Sequence, residues 1–132
     1  MSKKYTYDAQ GYAFLVRDEI EGIWAAAWSE EEREEREEMG EAVDLWDYLR
    51  DVLDVDYTID SNGELIGSRW YVTLGGPTCW IDTRERAVMA SWGNERGWAA
   101  LDPELCEEID EMARENLAAL MDARSTGRRR YY

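Results

Sequence analysis

Val55-Asp56-Tyr57-Thr58-Ile59-Asp60-Ser61-Asn62-Gly63-Glu64-Leu65-Ile66-Gly67-Ser68-Arg69-Trp70-Tyr71-Val72-Thr73-Leu74 is the stretch on which the fold turns. Val55, Tyr57 and Ile59 alternate with Asp56, Thr58 and Asp60, the period-two pattern of a half-buried strand. Asn62-Gly63 follows, a pair suited to the positive φ angles of a type I′ hairpin turn. A second strand over 65–74 then sets Ile66, Ser68, Trp70, Val72 and Leu74 against Gly67, Arg69, Tyr71 and Thr73. Two strands joined by so short a turn are antiparallel.

Downstream the pattern repeats. Gly75-Gly76-Pro77 breaks the second strand, a third is expected near Thr78–Thr83, and a fourth over Arg86–Trp92. Residues 93–97 read as a loop, with a short fifth strand at Trp98–Leu101. Asp102-Pro103 opens a helix, Asp as N-cap and Pro at the first helical position. Its inward face carries Leu105, Ile109, Met112, Leu117 and Leu120. A second stripe holds Glu104, Glu108, Glu111 and Glu115, and the helix is expected to fade near Arg124.

Upstream, residues 8–28 read as a helix capped by Asp8, with Ala13, Val16, Ile20, Ile23, Trp24, Ala27 and Trp28 recurring at three- and four-residue steps. Ser29 and Glu32 match a capping box and start a second helix, Glu30–Glu38, that has no apolar face and projects into solvent. A third helix is expected over 41–54. Ala42, Leu45, Trp46, Leu49, Val52 and Leu53 form its buried stripe, and Asp44, Asp47, Asp51 and Asp54 recur along another face. The expected fold is α+β: an antiparallel four- to five-stranded meander with N-terminal helices and one C-terminal helix packed on one face. Residues 1–124 form a single domain and 125–132 a flexible basic tail.

The totals bound what such a domain does. At 132 residues it holds one core. Seven Trp and eight Tyr argue against wholesale disorder, since disordered chains are poor in aromatics. Without an apolar run long enough for a membrane span or a leader, the expected location is the cytoplasm of the cell that makes the protein. Cys79 and Cys106 have no metal or redox spacing and read as buried thiols.

Chemistry is scarce. The chain has no His, which removes the commonest general base and metal ligand, and with it the usual zinc sites and Ser–His or Cys–His pairs. Gly75-Gly76-Pro77 lacks the Lys and Ser/Thr of a phosphate loop. Aligning Gly63 with the turn glycine of an EF-hand puts Arg69 where the bidentate Glu belongs. Carboxylates that could hold Mg²⁺ are present by sheer number, but none is singled out. No catalytic residue, metal site or cofactor is therefore assigned, and a non-enzymatic binding protein is expected.

Charge is the unusual feature. Thirty acids face fifteen bases, and between Asp8 and Asp122 the balance falls to −21 because Lys3, Lys4, Arg124, Arg128, Arg129 and Arg130 lie outside that span. Solubility alone is one explanation. The other is recognition: Asp44, Asp47, Asp51 and Asp54, with Glu31, Glu34, Glu35 and Glu38, repeat along helices at about 5–6 Å, comparable to the spacing of charge on a nucleic-acid strand. Trp80, Trp92 and Trp98, near turns, are the candidates for an exposed apolar contact.

The stretch Leu45–Asp60, followed by Leu74–Thr83, resembles small acidic proteins of phages and mobile elements of Gram-positive bacteria. In size and charge the chain is similar to anti-CRISPR and antirestriction inhibitors, some of which mimic DNA. The resemblance implies a basic nucleic-acid-binding partner, Cas9 or another defence nuclease, held in its groove by the acids. The acidic surface itself argues against direct contact with nucleic acid or anionic membrane. The alternative is a structural or regulatory interaction module of a mobile element using an exposed Trp patch. Monomer and homodimer both remain open.

Overall fold

A computed structural model describes residues 5–129, with side chains described through residue 123. The elements follow in the order α1 (Ala9–Ala25), α2 (Glu30–Glu38), α3 (Leu45–Arg50), β1 (Asp54–Ile59), β2 (Leu65–Thr73), β3 (Thr78–Asp82), β4 (Ala87–Trp92), β5 (Glu95–Ala100) and α4 (Pro103–Arg129). The five strands form one antiparallel sheet in the order β1-β2-β3-β4-β5, the meander expected. No helix among the described residues is long and apolar enough to cross a membrane.

The helices begin where side chains can take up free backbone N–H groups. Asp8 accepts from Gly11 N at 2.8 Å, Ser29 from Glu32 N at 3.2 Å and Asp102 from Glu104 N at 2.8 Å. Their ends depart from expectation in three places. α1 stops at Ala25, because Ala26 turns extended, so Trp28 is not on its stripe. α3 spans only Leu45–Arg50 rather than 41–54, because Leu53 N bonds Tyr71 O at 2.9 Å and draws the chain into the sheet. α4 continues past Arg124 to Arg129. The part of the expected tail at 130–132 lies outside the described residues.

Two turns also differ. Only Gly63 takes positive φ in the first hairpin, so the turn is not type I′; Asp60 Oδ1 holds it by accepting from Asn62 N and Glu64 N. β5 begins at Glu95 rather than Trp98, and Trp92 pairs with Glu95 across a tight turn.

The core sits between one face of the sheet and α1, α3 and α4. From the sheet come Trp70, Cys79, Ile81, Val88, Ala90 and Ala99; from the helices Ala13, Val16, Ile20, Leu49, Leu105 and Ile109, all buried. Gly97 lets α1 come close: a Cβ there would lie 2.2 Å from Ala9 O. The Gln10 side chain then pairs with the β5 edge, donating to Trp98 O at 2.6 Å and accepting from Trp98 N at 3.0 Å, as a neighbouring strand would. On β2, Trp70 Nε1 donates to the buried Ser68 hydroxyl at 2.8 Å. Cys79 and Cys106 are buried free thiols, pushed up to about 12 chiefly by burial.

Candidate functional site

Strand register decides which side chains share a surface. Residues 68 and 70 of β2 face the helices, so Arg69 and Tyr71 face away; beyond Tyr71 the register shifts. Tyr71 pairs with Trp80, Trp80 with Met89, and Met89 with Trp98, so these four form one row across four strands. Asp54 of β1 extends the row beyond Tyr71. Among the described residues no helix packs on this face: α1, α3 and α4 contribute to the core on the other, and α2 buries nothing.

The row is half open to solvent. Trp98 is 50% exposed; Tyr71, Trp80 and Met89 are half-buried. The Tyr71 and Trp80 rings lie 6.1 Å apart at 37°, and the Arg69 guanidinium sits 5.9 Å from the Trp80 ring centre. Arg69 is anchored by Asp82 at 3.1 Å. The Tyr71 hydroxyl donates to Asp56 at 3.0 Å, and partial burial, followed by that carboxylate, holds its pKa above the usual tyrosine range. At one end of the face Gly67 lies beneath Arg84 of the β3–β4 turn.

The expected Trp patch is therefore two surfaces. Trp80 and Trp98 share the open face. Trp92 points to the helix face and lines a separate hollow with Tyr5, Tyr7 and Tyr12. Trp46, expected in the core, is 41% exposed, because in so short a helix only Leu45 and Leu49 turn inward. The same shortening leaves Leu53 exposed.

The expected Asp stripe is not a stripe. Asp44 is the N-cap of α3 and accepts from Asp47 N at 2.8 Å. Asp47 pairs with Arg50 at 3.2 Å. Asp51 is the C-cap of α3, and Asp54 begins β1 with its carboxylate accepting from Val55 N at 2.9 Å. Asp44, Asp47 and Asp54 are thus engaged in local structure rather than aligned along a helix.

The second acidic group survives. All seven glutamates of α2 are exposed, Glu31, Glu34, Glu35 and Glu38 among them. The helix is tied down by Arg36, whose guanidinium lies 4.3 Å from the Trp28 ring centre, pairs with Glu41 at 3.0 Å and donates to Ala42 O at 2.9 Å. Beneath it a hollow of about 560 Å³ is lined by Glu19, Ile23, Trp28 and Tyr48. Loss of water there pushes the Glu19 carboxyl above its usual range, and burial raises the Tyr48 hydroxyl in turn. On α4, Glu104, Glu108, Glu111 and Glu115 are exposed as expected, Glu108 accepting from Trp24 Nε1 at 2.9 Å.

Mapped onto the fold, charge is segregated. Residues 65–101, which span β2 to β5, hold three acids and four arginines, a net of +1. The remainder of Asp8–Asp122, made of helices, β1 and connections, holds 27 acids and five arginines, a net of −22. Sequence totals hid this division, because the two parts touch only through the fold.

Compared with known protein families, characterised proteins and solved structures, the chain shows no match to any.

Proposed function

We propose that this protein is a non-catalytic binding protein whose acidic helical side docks on a basic, nucleic-acid-binding partner and occupies the groove that nucleic acid would fill. The observation that carries the reading is the segregation of charge: +1 over residues 65–101 against −22 over the rest of Asp8–Asp122. A molecule acid for solubility alone has no need to leave one face neutral. A directed field of one sign steers association and selects partners of the opposite sign. The contact moves from the Asp44–Asp54 segment to α2, where Glu31, Glu34, Glu35 and Glu38 recur at three- and four-residue steps along one side. A defence nuclease such as Cas9 has the required surface, and an inhibitor of that kind acts in the host cytoplasm.

Salt tests the reading. Affinity for a basic nuclease falls steeply between low and high ionic strength when acids carry the contact. Replacing Glu31, Glu34, Glu35 and Glu38 by Gln reduces both the affinity and that slope. Affinity indifferent to salt and to these changes sinks the reading. It then favours the alternative, a partner seated on the Trp80–Trp98 row, for which the register itself is the supporting observation.

A further inference from the structure

We infer that the open face of the sheet is where a second copy of this chain sits, so that two sheets pack face to face and the acidic helical layers point outward. Three observations lead there. The face carries a continuous row of Tyr71, Trp80, Met89 and Trp98, residue types enriched at interfaces, with Arg69 stacked among them. The strands β2 to β5 that build most of it belong to the stretch with net charge +1, Asp82 on it is paired with Arg69, and Asp54 and Asp56 stand together at the β1 edge. On the helical side the same approach would set the glutamates of α2 and α4 of one copy against those of the other.

The third observation is polarity across the face itself. At the β1 edge stand Asp54 and Asp56; at the β5 edge stands Arg96, which donates to Ser91. A two-fold arrangement that runs the rows antiparallel brings the β5 edge of one copy, with Arg96, over the β1 edge of the other, with Asp54, twice. Sheets packed in this way lie about 10 Å apart with inner side chains interleaved. A face of roughly 20 by 25 Å covers ~500 Å² a side, which puts the pair at about the lower bound for a specific interface, ~1,000 Å² in total. The dimer is therefore one that dissociates on dilution.

Sedimentation velocity across a dilution series tests this. The chain is expected to pass from dimer to monomer as it is diluted, with dimer present at about 100 μM. Added salt strengthens the dimer by screening the −15 on each copy, the opposite of its effect on a basic partner. The two readings therefore fail separately. Trp98→Glu, which puts a charge in place of the exposed Trp of the row, raises the dimer dissociation constant at least about thirtyfold. Trp46→Glu, an exposed Trp off this face, leaves it unchanged. Circular dichroism checks that Trp98→Glu is folded; if it is not, Arg96→Glu is the second variant, with the same direction of change. A wild-type chain monomeric up to about 500 μM overturns the inference. So does a dimer that persists in the folded Trp98 or Arg96 variant.

Discussion

The Arg36 guanidinium stacks on the Trp28 ring, 4.3 Å from its centre, and this contact attaches an otherwise wholly exposed acidic helix to the body. The same guanidinium pairs with Glu41 and donates to Ala42 O. Arg36→Ala therefore loosens α2 more than it unfolds the protein. The cost is about 1–2 kcal/mol, and it is local. Amide exchange checks it: protection over 30–38 is lost, while β2–β4 exchange as in the wild type. Arg33→Ala, an exposed neighbour on the same helix, leaves α2 protected. Equal protection in the Arg36 and Arg33 variants contradicts the attachment.

Two glycines give opposite results on the same substitution. Gly97→Ala drives a Cβ to 2.2 Å from Ala9 O, so α1 must move off β5. The expected cost is at least about 2 kcal/mol. Gly22→Ala, in the interior of α1 with nothing within 4 Å, is expected to gain about 0.5–1 kcal/mol through helix propensity. Urea unfolding measures both. A neutral Gly97→Ala means that α1 does not lie against β5 as described.

Glu19 gives a prediction in pH. Its carboxyl is raised first by burial, with the neighbouring Tyr48 hydroxyl opposing the shift. A carboxyl raised in the folded state is held protonated more tightly there than in the unfolded chain. Its contribution to stability is full below the ordinary Glu range and is lost as pH rises through the raised value. Glu19→Gln removes the charge at nearly the same volume. Its melting temperature is expected above the wild type at about pH 7, with the gap closing towards about pH 4. A gap independent of pH contradicts the assignment.

The sheet was legible in the sequence because its strands alternate cleanly and its turns carry Gly and Asp. The helix starts at Asp8, Ser29 and Asp102 were legible for a similar local reason: each cap reaches an N–H only two or three residues on. What failed was set by contacts distant in the chain. Asp44 and Asp47 stand at stripe spacing and at capping spacing alike; Asp44 caps the helix, and the bond from Leu53 N to Tyr71 O ends it before Asp54 can join a stripe. Trp80, Trp92 and Trp98 look equivalent beside their turns. Register alone, through Met89, puts two of them on one face and the third on the other. The neutral patch within an acidic chain was visible as four arginines in residues 65–101, but its meaning depends on those strands forming a single face.

The most direct measurement is displacement of DNA from a basic nuclease. Cas9 loaded with its guide, or a restriction endonuclease, is bound to labelled target DNA at low salt and titrated with this protein. DNA is expected to be released in proportion to protein added, release to weaken as salt rises, and reversal of Glu31, Glu34, Glu35 and Glu38 to Lys to abolish it while the variant stays folded. DNA left bound by every nuclease tried, or release untouched by the four reversals, contradicts the claim that the acidic helical side is the working surface.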